Sequence, residues 1–269
     1  MGNQSVPEAT TLVAKLALSD APAFLGYYQG CVYATLDNGT VALVDHKYSL
    51  KESYITCPDL VQWATMYNDK IYMLIWKSLH LGYEVRVYDV INRNEIHRFF
   101  HRFHQRGNSV LTAVSDQIVI VDPPSQLTVY SLSGQPLSQV TCLKVPVHPR
   151  RISICPCYDD SVIITERDSP YISRINIRTG ETVWRCRYWC IYVQATCFAR
   201  RYVILASYYG NTFLILDTQT GEEISRIAVE GASAQSGADS ILCARNILII
   251  GRSQQSAASI LIYKISIEQ

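Results

Sequence analysis

The apolar positions of this chain fall in short runs of strand length, and one pattern of strand followed by turn occurs six times. In each copy an apolar run ends at a polar position and leads into a turn. The aligned polar positions are Asp45, Asp89, Ser131, Asn176, Asp217 and Lys264, at steps of 44, 42, 45, 41 and 47 residues. A repeat of this length built from strands predicts the blades of a β-propeller.

Each unit has enough sequence for four strands. In the fifth unit we predict strands at 195–198, 202–206, 213–216 and 223–229, with Gly221 at the last turn, where a positive φ is needed. The second strands of all units are nearly continuous apolar runs, which is typical of inner strands that pack on both faces. These runs are 32–35, 71–75, 118–121, 162–165, 203–206 and 247–250.

The two ends of the chain predict how the ring closes. The sixth unit stops at Ile267 after its third strand, and an additional apolar strand, Thr11 to Leu18, precedes the first unit. Placed beside Ile260 to Ile265, that strand completes the last blade and leaves no open edge. The alternative is an unrelated N-terminal arm. We predict an all-β fold, a single six-bladed β-propeller over residues 1–269, with blades at about 21–58, 59–106, 107–146, 147–192, 193–232 and 233–269 plus 10–18.

The turns carry a resemblance to known propellers. INIRTGETVW and LDTQTGEEISRI are similar to the Asp/Asn-x-x-Thr-Gly turn of WD-repeat and quinoprotein propellers, and Val87-Tyr88-Asp89 stands where a Trp-Asp dipeptide would. Over nearly its whole length the chain resembles the broad class of WD-repeat-like and NHL-like β-propellers. Six units are more typical of the NHL type. The sequence has no Gly-His before a first strand, no Trp-Asp and no paired kelch glycines, so the resemblance implies a shape and not a subfamily.

Composition agrees with a large β-sheet core, because 48% of the 269 residues are hydrophobic and no linker interrupts the repeat. The N-terminus lacks a charged region followed by an apolar run, so we expect a cytoplasmic protein with no membrane span. Nine scattered cysteines predict reduced, buried thiols. The group Cys155, Cys157, Cys186 and Cys190 lacks the spacing of a structural zinc site, and we predict neither metal nor cofactor.

Motifs of catalysis are absent from the sequence. It contains no Gly-x-Ser-x-Gly, no glycine-rich phosphate loop and no His-Glu-x-x-His. Six-bladed hydrolases and lactonases hold a central calcium with acidic side chains, for which Asp37, Asp59, Asp122 and Asp168 are candidates. Asp37-Asn38-Gly39 and Asp122-Pro123-Pro124 are typical of ordinary hairpin turns, however. We therefore expect a protein that is not an enzyme and keep a metal-dependent hydrolase as the third interpretation.

One segment, residues 97–106, is both basic and aromatic. As an outer strand it would direct Phe99, His101 and Phe103 to one face, and Arg98, Phe100, Arg102 and His104 to the exposed face. As a helix it would align three histidines like metal ligands, but the propeller period favours the strand. The segment belongs to a basic region, because residues 93–201 hold 14 basic and 8 acidic side chains, a net charge of +6, while the whole chain carries +1.

The blade-to-blade connections and the hairpins between second and third strands share one face of a propeller, and this face is the predicted binding site. Its predicted residues are His104, Arg106, His148, Arg150, Arg151, Arg167, Trp189 and Tyr192, with Trp76, His80, Tyr208 and Tyr209 nearby. Such a rim can bind an acidic peptide through arginine pairing, or single-stranded RNA through phosphate contacts and base stacking. The resemblance to NHL-like propellers, which include RNA binders, implies the second. The sequence pI of 7.5 lies below the footprint of dedicated nucleic-acid domains. We predict a protein-interaction module or scaffold, with RNA binding as the alternative.

Overall fold

The computed structural model describes residues 7–103, 109–122, 126–141, 152–166, 170–188, 192–198, 200–207, 212–228, 240–245, 247–254 and 257–267. Within these ranges, 24 strands form six antiparallel sheets of four. The first strands of all six sheets line a central channel, so each sheet is a blade that extends outward from the axis. No described segment forms a helix of the length and apolarity needed to span a membrane.

The strands follow the predicted units closely. The chain begins with β1 (Pro7–Leu18). Blade 1 contains β2 (Pro22–Tyr28), β3 (Cys31–Leu36), β4 (Thr40–Val44) and β5 (Leu50–Thr56). Blade 2 contains β6 (Trp63–Tyr67), β7 (Lys70–Ser78), β8 (Gly82–Asp89) and β9 (Asn94–His101). Blade 3 contains β10 (Val110–Val114), β11 (Gln117–Asp122), β12 (Gln126–Ser131) and β13 (Pro136–Thr141).

The remaining three blades have the same order from the axis outward. Blade 4 contains β14 (Ile152–Pro156), β15 (Ser161–Glu166), β16 (Tyr171–Asn176) and β17 (Thr182–Arg187). Blade 5 contains β18 (Tyr192–Phe198), β19 (Tyr202–Ser207), β20 (Thr212–Asp217) and β21 (Glu223–Ala228). Blade 6 contains β22 (Ser240–Ala244), β23 (Ile247–Gln254), β24 (Ala257–Ile267) and, as its outermost strand, β1.

The predicted closure of the ring is confirmed. β1 pairs antiparallel with β24, with Thr11 opposite Lys264 and Leu18 opposite Ala258. The strand begins at Pro7, four residues before the predicted start. Because Lys264 lies inside this ladder, the sixth copy of the sequence pattern leads into a strand pairing and not into a turn.

The apolar core is divided among the six interfaces between neighbouring blades. In β3, Tyr33 packs in the cluster shared with blade 2, while Val32, Ala34 and Leu36 pack in the cluster shared with blade 6. Side chains alternate across a strand, so a strand covered on both faces is expected to be apolar at most positions, and the buried Thr35 is the exception in β3. This arrangement explains the continuous apolar runs of the second strands.

The repeated polar residue closes the turn between the third and fourth strands. The Asp217 Oδ1 accepts hydrogen bonds from the backbone N–H groups of Gln219 at 2.7 Å and Thr220 at 3.1 Å. The side-chain oxygens at the other aligned turn positions also accept backbone N–H groups two to four residues ahead, at Asp45, Asp89, Ser131 and Asn176. Asp, Asn and Ser share this role because each has a short side chain with an acceptor oxygen.

A left-handed residue in the same turn packs against the fourth strand of the preceding blade. A Cβ built on Gly180 would lie 2.3 Å from Val140 Cγ1, and one built on Gly221 would lie 2.7 Å from the ring of Trp184. In blade 2 this position is Arg93, with φ 59°, and its guanidinium stacks 4.4 Å from the ring of Tyr54. The turn therefore joins neighbouring blades as well as neighbouring strands.

Closure by β1 predicts a contrast between two leucines of that strand. Leu18 is buried in the interface between blades 6 and 1, and Leu12 is 43% exposed. We expect Leu18→Asp to lower the free energy of unfolding by about 3 kcal/mol or more, because the carboxylate is buried without a partner. Leu12→Asp should cost less than about 1 kcal/mol. Denaturant unfolding followed by circular dichroism measures both, and equal losses would contradict the closure.

Substitution of two glycines by alanine distinguishes the cost of backbone strain from the cost of a steric clash. Gly30 and Gly180 both have positive φ, 85° and 74°, but a Cβ on Gly30 would meet no atom within 4 Å. We expect Gly30→Ala to cost about 1 kcal/mol for the left-handed backbone alone. Gly180→Ala should cost about 1–3 kcal/mol more, because Val140 must move. Urea unfolding of the two variants tests this, and equal midpoints would show that the contact with blade 3 is unimportant.

Candidate binding surfaces

One end of the ring carries the hairpins between second and third strands and the connections between blades. We call it the connection face, and its described residues are 19–21, 37–39, 57–62, 79–81, 102–103, 109, 170 and 188. Backbone hydrogen bonds tie its segments together around blade 1: the Asp37 N–H donates to the Ala21 carbonyl at 3.0 Å and the Val61 N–H donates to the Asp37 carbonyl at 3.3 Å. This part of the face is therefore held by its own backbone.

A cluster of charged side chains anchors the connection face to the sheet of blade 2. The Asp59 carboxylate accepts from Lys77 Nζ at 3.1 Å and from the guanidinium of Arg86. The buried Glu84 accepts from Arg86 Nε at 2.8 Å and from Lys77 Nζ at 3.0 Å. Arg98 and Glu95 extend the cluster toward the outer strand.

The neighbouring cations favour the ionised forms of Asp59 and Glu84. The hydrogen bond from Lys77 and the charge of Arg86 hold the pKa of Asp59 below its ordinary value, against a smaller effect of desolvation. Burial alone would raise the pKa of Glu84, but hydrogen bonds from Lys77 and Arg86 outweigh it and lower that pKa. Both carboxylates are therefore ionised at neutral pH and pair with Lys77 and Arg86.

Three leucines project from this anchored part of the face. Leu60 is 76% exposed, Leu79 is 59% exposed and Leu81 is 54% exposed, which places them, with Ile91 at 57%, among the four most exposed large apolar side chains of the described residues. Leu60 follows Asp59, and Leu79 and Leu81 lie on the hairpin after Lys77. The Asp59–Lys77 ion pair therefore joins the segment that carries Leu60 to the hairpin that carries the other two leucines. Exposed apolar side chains on a rigid support are characteristic of binding surfaces.

A second polar cluster lies between blades 2 and 3. His101 Nε2 is 2.7 Å from Asp122 Oδ2, His101 Nδ1 is 2.7 Å from the Tyr130 hydroxyl, and Ser109 Oγ donates to Asp122 Oδ1 at 2.6 Å. All four side chains are buried. The inward direction predicted for His101 is confirmed. The interpretation of Asp122 as an ordinary turn residue is wrong, because its carboxylate is fully buried and bonded to another blade.

This cluster has the residue types of a catalytic triad in the wrong order. In a triad the imidazole stands between the serine and the carboxylate and takes the serine proton. Here Asp122 stands between Ser109 and His101, so the serine donates to the carboxylate and the imidazole bonds to the other oxygen of that carboxylate. Ser109 and Asp122 are almost wholly shielded from solvent, and the arrangement joins blades 2 and 3.

The structure does not bring together the four cysteines that the sequence suggested as a group. Cys155 Sγ lies 3.9 Å from Cys197 Sγ in the next blade, whereas Cys186 donates to the Gly221 carbonyl at 3.0 Å. Hydrogen bonding with Cys197 and burial raise the pKa of Cys157, so its thiol stays protonated. Cys190 lies outside the described residues. Among the described residues, no group of three or more His, Cys, Asp or Glu side chains is arranged to hold a metal ion.

The predicted basic rim falls largely in segments beyond the described residues. His104, Arg106, His148, Arg150, Arg151, Arg167 and Trp189 lie outside them, as do Tyr208 and Tyr209, and Tyr192 is described only as the first residue of β18. Trp76 packs edge-on against Tyr83 with ring centroids 4.9 Å apart, and His80 is exposed on the connection face. The three leucines were not predicted, because an exposed leucine has no signature that distinguishes it from a buried one.

Comparison with known proteins identifies the fold and no narrower group. No protein-family model matches the chain, and no curated protein matches its sequence. The chain is a six-bladed β-propeller. Its fold is similar to the β-propeller domain of Cps50 (Swd1) from Myceliophteria thermophila, with a TM-score of 0.61, 10% identity and coverage of 96% of this chain and 100% of that chain.

Two further solved structures have the same degree of similarity. U3-55K matches with a TM-score of 0.63 and 7% identity, covering 96% of this chain and 100% of its own. The WD40 β-propeller domain of Doa1 matches with a TM-score of 0.62 and 11% identity, covering 96% and 97%. At these identities the likeness concerns the fold alone. It confirms the propeller fold, while the WD-repeat-like and NHL-like classes stay predictions.

Neutralising a carboxylate inside the charged cluster should lower the free energy of unfolding more than neutralising an exposed carboxylate elsewhere. Glu84→Gln leaves Arg86 and Lys77 without a buried counter-charge and should cost about 3 kcal/mol at neutral pH. Because the folded pKa of Glu84 is lowered, this difference is full above the unfolded value near 4.5 and shrinks as the pH falls below it. Glu223→Gln, which breaks an exposed pair with Arg226, should cost less than about 1 kcal/mol. Unfolding titrations at several pH values test both, and equal costs would contradict the buried network.

Proposed function

We propose that this propeller is a non-catalytic protein-interaction module that holds a peptide or protein segment on its connection face. The observation that carries the proposal is the group Leu60, Leu79 and Leu81, which is exposed on segments held by backbone hydrogen bonds and buried ion pairs. Apolar side chains on a preorganised support bind with little loss of conformational entropy. The Ser109, Asp122 and His101 cluster lacks the connectivity of a hydrolase, which agrees with a role in binding.

The partner is proposed to be partly acidic, because the net charge of +6 is concentrated in residues 93–201. These residues include the outer strand of blade 2, blades 3 and 4, and the first strand of blade 5, with Arg106, Arg150, Arg151 and Arg167 on the predicted side of the ring. Arginine pairs with carboxylates through parallel hydrogen bonds, so arginines would orient a segment whose apolar side chains contact the leucines. A single propeller domain over residues 1–269 is part of the same proposal.

Three variants locate the binding surface. The leucine variant is Leu60/Leu79/Leu81→Ala, and the arginine variant is Arg106/Arg150/Arg151→Ala. The control is Leu12/Ile91/Leu137→Ala, which removes exposed apolar side chains from two outer strands and from a turn at the opposite end of the ring. Proteins captured from cell extract by the wild type are identified, produced and titrated directly against all four proteins.

We expect the control to bind like the wild type and the leucine variant to bind at least about tenfold more weakly, because truncation of anchoring side chains removes most of the binding energy. Equal affinities for all four proteins would overturn the connection face as the site. A pool of single-stranded RNA is titrated in parallel at low and near-physiological salt. Salt-sensitive RNA binding that the arginine variant loses, with no protein partner, would establish RNA binding in place of this proposal.

A further inference from the structure

Three cysteine side chains meet in the interface between blades 4 and 5, at the wall of the central channel. Cys155 and Cys157 lie two positions apart on β14, so their side chains point to the same side of that strand. Cys197 packs against them from β18, and its Sγ lies 3.9 Å from Cys155 Sγ. All three residues belong to the described lining of the channel. The fold therefore brings into contact two thiols, Cys155 and Cys197, that are 42 residues apart in the chain.

The separation of these two sulfur atoms is near that of a disulfide. Both residues are free thiols in the structure. A disulfide bond is about 2.05 Å long, so the two sulfur atoms have to approach each other by about 2 Å. Rotation about the Cα–Cβ bonds of both residues can supply an approach of this size. Formation of the bond therefore requires a movement of side chains and leaves the strand pairing within each blade in place.

The channel gives a small oxidant access to one of the thiols. Cys155 and Cys157 are buried, whereas Cys197 keeps part of its surface exposed. The cavity in the channel has a volume of about 350 Å³, and none of its described lining residues carries a charge. An ion would lose its hydration there without compensation, while a water molecule occupies only about 30 Å³. Hydrogen peroxide is uncharged and only slightly larger than water, so it can reach Cys197.

Ionisation of the thiols controls how fast such a reaction runs. A hydrogen bond with Cys155 and burial raise the pKa of Cys197 well above its ordinary value, while a hydrogen bond with Cys157 and the charge of Arg174 lower it by less. The thiolate is the form of cysteine that attacks an oxidant. Oxidation of Cys197 is therefore slow at neutral pH and becomes faster as the pH rises.

We propose that Cys155 and Cys197 form a reversible disulfide between blades 4 and 5, with hydrogen peroxide as the oxidant. In the first step the Cys197 thiolate attacks one peroxide oxygen, an S–O bond forms, the O–O bond breaks, and hydroxide leaves and takes up a proton. In the second step the Cys155 thiolate attacks the sulfenic sulfur, an S–S bond forms, and the S–O bond breaks with release of a second water molecule. The two thiols lose two electrons, and the peroxide is reduced to two water molecules.

The bond would act as a clamp between two blades. It joins their first strands at the channel wall, and it restricts the unfolded chain because the cysteines are 42 residues apart. Both effects favour the closed ring. In a reducing compartment such a bond is transient, so the propeller would respond to peroxide and return to its present state afterwards. This role is independent of the connection face.

The first test needs no variant. The native protein is treated with hydrogen peroxide, the remaining thiols are alkylated after denaturation, and peptide mass spectrometry maps the cross-links. We expect a bond between Cys155 and Cys197 that dithiothreitol removes and that forms about tenfold faster at pH 8 than at pH 7, because the thiolate fraction rises by that factor below the pKa. Absence of this bond, or the same yield from protein oxidised in urea, would overturn the proposal. Equal rates at the two pH values would overturn the attack by the Cys197 thiolate.

Two variants then identify the partner of Cys197. Cys155→Ser should lose the cross-link, and the matched control Cys157→Ser, on the same side of β14, should keep it. Circular dichroism of the reduced proteins checks that both fold. Peroxide should raise the thermal midpoint of the wild type and of Cys157→Ser by about 5–10 °C, and that of Cys155→Ser by much less. A cross-link that survives in Cys155→Ser and is lost in Cys157→Ser, or an equal rise in all three proteins, would overturn the proposed pair.

Discussion

Burial of apolar surface between neighbouring blades is the interaction on which the whole structure depends. Each of the six apolar clusters draws its side chains from two blades, so no blade can bury its own faces. Such a series of sheets is stable only if its first and last members also meet. The pairing of β1 with β24 meets this requirement, because it completes blade 6, whose side chains then pack on blade 1.

Polar contacts supplement this packing, and they differ from one interface to the next. Blades 1 and 2 share the ion pair between Asp59 and Arg86, and blades 2 and 3 share the bond between His101 and Asp122. Blades 4 and 5 are joined where Arg174 and Trp184 donate to the Thr218 carbonyl. Buried polar groups left unpaired are costly, so each interface accepts its own partner better than any other. The repeated apolar pattern provides stability, and these contacts hold neighbouring blades in one position relative to each other.

The sequence predicted the repeat, the second strands and the closing strand correctly, because each depends on patterns within a few residues. The turn at Asp217 could be predicted since its hydrogen bonds reach only two and three residues ahead. The role of Asp122 could not, because its partner His101 is 21 residues earlier and belongs to another blade. Exposure of Leu60 depends equally on the fold. For the basic rim the sequence supplied candidates, and they stay predictions because their side chains lie outside the described residues.

The connection face and the central channel differ in their chemistry. Positions between blades are occupied by packing, so variable side chains are tolerated at the connections and along the channel. On the connection face, exposed leucines stand beside ion pairs, and any partner there competes with water and salt. In the channel the described lining is uncharged and is enclosed by six strands. Salt screens the interactions of exposed charges more than those of a neutral lining, so ionic strength affects the surroundings of the connection face more than those of the channel.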